Sequence, residues 1–509
     1  MSPHRYLNDR NRHFKISNDV LILVLRYLDP TSLWRACLSL ILRTQAFNRI
    51  HSLVLEYSPL HYVFELAIAG MKDGPASHAY KPAVGRLQLL ATYRNDWPSL
   101  IWGHEHKMRL APQTRYGVSS GFLHQIHIHG GQHSLDLAEL PSCRTSRSPA
   151  LTRHLKFRTP EIQNIAVDRS QSLIVTSHVL SLQTGIGVVL YFRDLWTFEK
   201  HPQAYSGTYD FNVGPVPVSS ISIAIAGHNM SISFEFHNGK IVHLVLNWCT
   251  FQAGWLEDND IQFLSENRLL VVRRSRGLPY LSLYNISNIS AVVVERDYEL
   301  PGAWARSAIG FSPNTSPLVD QPSPSEAMFY PDPSRRVILV VVKTPSSNGG
   351  PSVRNWLIVN ESFFRPSSRK GRLRISWQEW SQACLIRDAH SAILGPYVNG
   401  SRVVFAENTP HHSPRARLNL IEFAPFPDSS CVQTRAWSMV GPRCVLVPNE
   451  SSRELPPKTV DGRQIEDIRL TEDNIVLFLN NQDESKPVNI LTFGVPHSMG
   501  RSHPGHTHH

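Results

Sequence analysis

Residues 117–121 read Gly-Val-Ser-Ser-Gly, which matches G-x-S-x-G, the pattern that lifts a nucleophilic serine onto a sharp strand-to-helix turn. The chemistry needs a helix after the serine. The residues that follow, Phe122-Leu123-His124-Gln125-Ile126-His127-Ile128-His129, alternate like a strand from Gln125. Ser119 is therefore expected in a plain turn. His104, His106, His124, His127, His129 and His133 form the densest histidine region. On a strand, His127 and His129 share a face with Gln125, but fixed metal-ligand spacing with a further ligand is missing, and solvent-facing histidines are the expectation. The tail histidines His503, His506, His508 and His509 end a polar segment that needs no metal role. Arg365, Arg369, Lys370, Arg372 and Arg374 make the best basic cluster. Its charges are not interleaved with aromatics as in a stacking platform, so a solvated loop is expected and nucleic acid is not the expected partner. No Gly-rich phosphate loop, H-E-x-x-H or paired-carboxylate pattern appears. No enzyme activity, cofactor or metal is expected.

The elements that could hold a site divide the chain in two. A length of 509 residues favours more than one domain, and 41% apolar with 18% charged residues is the composition of a folded protein. The net charge of +10 is scattered rather than banked on one segment. The cysteines, Cys37, Cys143, Cys249, Cys384, Cys431 and Cys444, form no C-x-x-C pair. With no signal-peptide pattern this points to a reducing compartment, cytoplasmic or nuclear. The longest apolar run near the start, residues 20–25, is too short for a membrane span, so no membrane partner is expected.

Residues 1–15 are polar and basic, a flexible arm. Residues 16–111 read as helical, with 16–60 as one unit and 61–111 as a helical linker. Ser17 or Asn18 can cap the first helix, and Asp19 suits its N-terminal dipole. Val20, Leu21, Val24, Leu25 and Leu28 form one broad face, while Ile22 and Leu23 add apolar surface elsewhere. A helix greasy on several sides must be buried on more than one, and a partner protein can supply one of them. Asp29-Pro30 ends it. A second helix is expected over 31–42, and a third around Ala46, Phe47 and Ile50. A fourth covers 60–69, ending at Gly70 before a turn at 71–75. A last one covers 84–93.

Beyond residue 112, short β-type runs recur between polar turns. They pair as 162–175 with 187–192, 219–226 with 241–248, 269–272 with 281–284, 337–342 with 356–359, 403–405 with 418–423 and 475–479 with 490–493. Pro/Ser-rich stretches at 141–149, 312–325, 344–352 and 409–414 read as surface loops. The fold expected is mixed: a small all-α N-terminal unit, then a large all-β domain over 112–496, a β-propeller of six or seven blades. Packed β-sandwiches are the alternative. Residues 497–509 form a His-rich tail.

The N-terminal residues also carry a family resemblance. Asp19, Val20, Leu21, Val24, Leu25, Tyr27, Leu28, Asp29, Pro30 and Leu33 resemble the F-box, a motif that docks onto the small adaptor subunit of cullin-type ubiquitin ligases. Ile16-Ser17 stands where the usual Leu-Pro would be, and Leu42-Arg43 is the nearest match to the later Val-Cys-Arg. Residues 64–75, Phe-Glu-Leu-Ala-Ile-Ala-Gly-Met-Lys-Asp-Gly-Pro, are similar to the segment after the F-box in a large family from mushroom-forming fungi. In that family a helix and a Trp-containing segment follow, here 86–102. The resemblance implies a substrate-recruiting adaptor. Ile16, Val20, Leu21, Val24, Leu25, Leu28, Pro30 and Leu33 would bind the ligase adaptor subunit, and the β-domain would bind an unidentified protein substrate. A propeller scaffold with a degenerate F-box is the alternative, and a propeller hydrolase ranks third.

Overall fold

The computed structural model describes residues 16–39, 45–75, 82–111, 114–129, 132–145, 154–159, 161–182, 185–257, 260–318, 327–345, 352–365, 373–408, 416–423, 448–460, 463–480 and 485–495. The expected arm at 1–15, the tail at 497–509 and the stretch 409–414 lie outside these residues. So do parts of the other Pro/Ser-rich stretches and of the helix expected over 31–42, together with Leu42-Arg43.

The apolar runs that lack strict alternation belong to sheets buried on both faces. In the strand Arg268–Ser275, Leu270 and Val272 pack toward one neighbouring sheet while Leu269 and Val271 pack toward the other. Seven antiparallel meanders are built this way among the described residues. Blade 1 comprises Arg115–Ser119, Phe122–His129, Gln132–Glu139 and His154–Thr159. Blade 2 comprises Asn164–Asp168, Leu173–Leu182, Gly185–Asp194 and Thr208–Gly214. Blade 3 holds Val218–Ala226, Asn229–Phe236, Ile241–Asn247 and Ala253–Leu256; blade 4 holds Asp260–Ser265, Arg268–Ser275, Leu278–Asn285 and Val293–Glu299. Blade 5 follows with Ala308–Ser312, Val337–Thr344, Val353–Asn360 and Cys384–Asp388, and blade 6 with Ala392–Asn399, Arg402–Asn408, Ala416–Phe423 and Pro448–Glu454. Blade 7 takes Ile465–Leu470, Asn474–Leu479 and Lys486–Thr492 from the C-terminal side. Its outermost strand, His104–Leu110, comes from the N-terminal side and pairs His104 with Thr492 through Leu110 with Lys486.

Seven apolar cores close the circle, each bridging two successive blades. Blades 7 and 1 share Leu110, Leu123, Val476 and Val488; blades 6 and 7 share Val404, Leu418, Ile468 and Leu477. The remaining five cores join blades 1 to 6 in order. The chain is a seven-bladed β-propeller, as expected in fold class, and the packed-sandwich alternative fails. The β-domain begins at His104, ahead of the expected 112. Four of the six expected strand pairs are direct neighbours, and the run 162–175 is itself two paired strands, Asn164–Asp168 and the start of Leu173–Leu182, of which the second pairs with Gly185–Asp194. The pair 219–226 with 241–248 has Asn229–Phe236 between its members.

Ahead of the ring lie helices α1 (Asn18–Arg26), α2 (Pro30–Ser39), α3 (Gln45–Glu56), α4 (Ser58–Ala69) and α5 (Ala83–Asp96). Gly70 ends α4 in the left-handed conformation, φ 65°. The turn expected at 71–75 is instead the short strand Met71–Asp73, paired antiparallel with Phe329–Pro331 of the blade 5 excursion. Gly74 follows because a Cβ there would meet the Ala327 carbonyl oxygen at 1.9 Å.

Candidate functional site

Helix α1 is the element whose surface needs an explanation. Ser17 caps it in extended geometry, and its hydroxyl accepts from the Val20 amide at 3.4 Å. Asp19 in the first turn and Arg26 in the last complement the helix dipole. Asp29 has a second task beyond preceding Pro30. It accepts the Ser32 amide at 3.0 Å and the Ser32 hydroxyl, capping α2. These hydrogen bonds hold its carboxyl below the ordinary value. From α3, Arg49 donates to the Ile16 carbonyl at 2.7 Å and to Asn18 Oδ1, fixing the start of α1.

The two sides of α1 differ. Leu25 enters a helical core with Leu33, Cys37, Val54, Leu60 and Phe64, and Ile22 and Leu28 pack against its edge. On the outer side Val20 is 47% exposed, Leu23 54%, Val24 56% and Tyr27 91%. These positions recur at i, i+3, i+4 and i+7, a single apolar stripe with half-exposed Ile16 at its head. Of the residues expected to dock, Ile16, Val20 and Val24 are exposed, while Leu21, Leu28 and Pro30 are half-buried. Leu25 and Leu33 are corrections: they are 5% and 0% exposed and build the helical core rather than a docking surface. Leu23 and Tyr27 belong to the stripe and were absent from the expected set. Both were visible in the sequence at the right spacing.

The opposite side of the helical unit is seated on the propeller. Helix α4 serves two cores, with Leu60 and Phe64 toward α1–α3 and Tyr62 and Leu66 toward the ring. Trp97, just after α5, is fully buried and stacks on Phe493 with centroids 3.9 Å apart. Asp96 accepts the Gly494 amide at 3.0 Å, and Arg402 of blade 6 donates to Tyr93 Oη at 2.8 Å. The Tyr62 hydroxyl donates to Asp73 at 3.0 Å, Arg86 pairs with the same carboxylate, and the Arg86 guanidinium lies 4.4 Å over the Tyr62 ring. Beneath them Arg144 makes a two-pronged pair with buried Asp473, at 2.7 and 2.8 Å, and donates to the Phe329 carbonyl. The expected 61–111 linker is thus an integral part of the seam.

In an antiparallel meander, the first-to-second turns share one face of the ring and the second-to-third turns share the other. The helices sit on the first face, against the Glu472 carbonyl, Gly494 and the turn before Arg402. The second face is left to the loops. At its rim between blades 2 and 3 is a shallow cleft of about 360 Å³ lined by Pro215, Val216, Phe236, Lys240, Trp255 and Glu257.

The other chemical candidates resolve into structure. Ser119-Ser120-Gly121-Phe122 is a tight hairpin turn, with Ser120 at φ 46° and Gly121 at φ 78°, and strands on both sides. Ser119 Oγ accepts the Val167 amide at 3.1 Å, lacing blade 1 to blade 2. His124 is not solvent-facing. It packs against Gly117, and burial pushes its imidazole down to about 4. His104, His106, His127 and His133 are only partly exposed, and His129 occupies the end of its strand. Among the described residues no three His, Cys, Asp or Glu side chains are placed to hold a metal ion. Of the basic cluster, Arg365 and Arg374 are described. Arg374 pairs with Glu299 and lies over Tyr280, while Arg369, Lys370 and Arg372 fall outside the described residues, as do the tail histidines. No helix among the described residues is long and apolar enough to cross a membrane.

No protein-family profile and no curated protein match the chain. Some solved structures align with most of the chain at low identity. The WD40 domain of SCAP from fission yeast is 8% identical, over 77% of this chain and 98% of that one, with a TM-score of 0.37. The WD40 domain of coronin from Toxoplasma gondii is 9% identical, over 77% and 87%, with a TM-score of 0.35. An uncharacterized protein from Listeria monocytogenes is 7% identical, over 73% and 90%, with a TM-score of 0.39. At such values the fold rests on this chain's own strand pairings and inter-blade cores.

Proposed function

We propose that the chain is a substrate-recruiting adaptor of a cullin-type ubiquitin ligase, working in the cytoplasm or nucleus. Its α1 stripe docks onto the small adaptor subunit, and its propeller takes the substrate. The observation that carries this is the stripe itself. Val20, Leu23, Val24 and Tyr27 stand exposed on a well-capped helix whose other side is already packed. Burying a fully exposed apolar side chain is worth about 1.5–3 kcal/mol, and Val20, Leu23 and Val24 are about half exposed, so a partner groove gains roughly half of that from each of them. The F-box resemblance of residues 16 to about 50 is what suggests the partner. In this reading the chain makes and breaks no bonds, and ubiquitin transfer belongs to other subunits.

Ile16-Ser17 in place of Leu-Pro, and the burial of Leu25 and Leu33, favour a second reading: a propeller interaction scaffold without a ligase role. A pull-down of the full chain with the purified adaptor subunit separates the two. The adaptor reading expects capture by wild type and its loss in Val20→Asp/Val24→Asp, with an unchanged melting temperature. No capture by folded wild type, or equal capture of both, supports the scaffold.

A further inference from the structure

We propose that the open face of the propeller, at the tops of blades 4 and 5, binds an acidic, Asp/Glu-rich protein segment. The hairpin between the second and third strands of blade 4 carries Arg273, Arg274 and Arg276. Arg276 sits at its tip at φ 51°, an unusual conformation for a residue with a Cβ, and it is exposed. Arg274 donates to the carbonyls of Ala305 and Ser307. That brings exposed Arg306 beside the hairpin. Ser307 bonds Thr344 at 2.7 Å, and the neighbouring Lys343 stands directly across the ladder from Arg354. Like charges in direct register destabilise a sheet unless something offsets them.

No carboxylate does so among the described residues. Arg273, Arg276, Arg306 and Lys343 have no ionic partner there. The carboxylates at this end are otherwise engaged. Glu299 pairs with Arg374, Asp388 lies 3.5 Å from His390, and Asp260 accepts the amides of Ile261 and Phe311. The face is also the one the helices leave open.

The layout selects the kind of anion. A compact phosphate calls for converging donors. Here the cations are strung along separate hairpin tips, and Arg274 and Arg354 are already committed to backbone carbonyls. Spread positive charge suits spaced carboxylates. Exposed Leu278 and Val353 flank the row, so an acidic segment with apolar residues between its carboxylates fits best. Nucleic acid would want exposed aromatic faces among the cations, and Tyr280 is buried.

This inference rests on the propeller being the partner-recruiting half, and its test does not involve the ligase adaptor subunit. The full chain is titrated into a fluorescein-labelled peptide of Glu interspersed with Leu, into its Gln-for-Glu counterpart, and into a single-stranded oligonucleotide of equal charge. Anisotropy is expected to rise for the Glu peptide alone. Arg276→Glu/Arg306→Glu should weaken binding by about tenfold or more, whereas Arg26→Glu/Arg35→Glu, with the same change in net charge, stays within about twofold. Silence with the Glu peptide, equal loss in both variants, or tighter binding of the oligonucleotide overturns the proposal. The adaptor pull-down on the same samples reports separately on the docking reading.

Discussion

Helices α1 and α4 are both apolar on more than one side, and they meet opposite fates. Helix α4 finds cover everywhere: its Leu60 and Phe64 side closes the helical core, and its Tyr62 and Leu66 side closes the seam with the ring. Helix α1 spends one side on the same helical core and leaves Val20, Leu23, Val24 and Tyr27 in solvent. Apolar surface that a fold fails to cover, lined up on one regular element, marks an interaction surface more clearly than hydrophobicity alone. The difference separates residues that hold the molecule together from residues left over for something else.

The sharpest way to break that comparison is at the seam. Trp97→Ala removes a fully buried ring stacked on Phe493 and should cost about 3–5 kcal/mol. Scanning calorimetry is expected to show one lowered transition if helices and propeller unfold together. Two separated transitions would show that α4 and α5 rest on the ring without sharing its cooperativity. Next come two neighbours on one helix. Leu25→Ala should cost about 2–5 kcal/mol in urea unfolding, and Val24→Ala less than about 0.5. Similar costs would mean that α1 has no free side.

The smallest effect lies far from the seam and separates the two bodies by pH. Burial pushes the Asp260 carboxyl up to about 6, against backbone hydrogen bonds that oppose the shift. Folded Asp260 therefore holds its proton where the unfolded chain, near its ordinary value of about 3.9, has lost it. By linkage, its contribution to stability is greatest below about pH 4 and falls as pH rises toward 6. Asp260→Asn should flatten that slope in melting temperature against pH. Should two transitions exist, only the propeller's is expected to move.

The β-domain was legible because sheets buried on both faces leave long apolar runs, as in Val337–Thr344 and Asn474–Leu479. The strand His104–Leu110 escaped because it is an outer edge of mostly polar residues, and its partner lies near the other end of the chain. The seam escaped for a related reason. Arg144, Asp473, Tyr93 and Arg402 are far apart in sequence, and nothing local in them signals a shared burial. In the candidate site, helical spacing revealed that α1 has several apolar sides. It does not reveal which side the fold claims, so spacing alone groups Leu25 and Leu33 with Val20 and Val24.

Closure of the ring by His104–Leu110 also sets an order of events on the ribosome. Domains fold largely as their chain emerges, N-terminal parts first. Here α5 and the Trp97 after it are seated on the Glu472 carbonyl, Phe493 and Gly494, and the first strand waits for Lys486–Thr492, so this part of the chain cannot settle until nearly the last of these residues is made. A nascent chain stalled before residue 486 would leave α5 without part of its seat and the first strand without its partner, so neither the seam nor the closed ring could form.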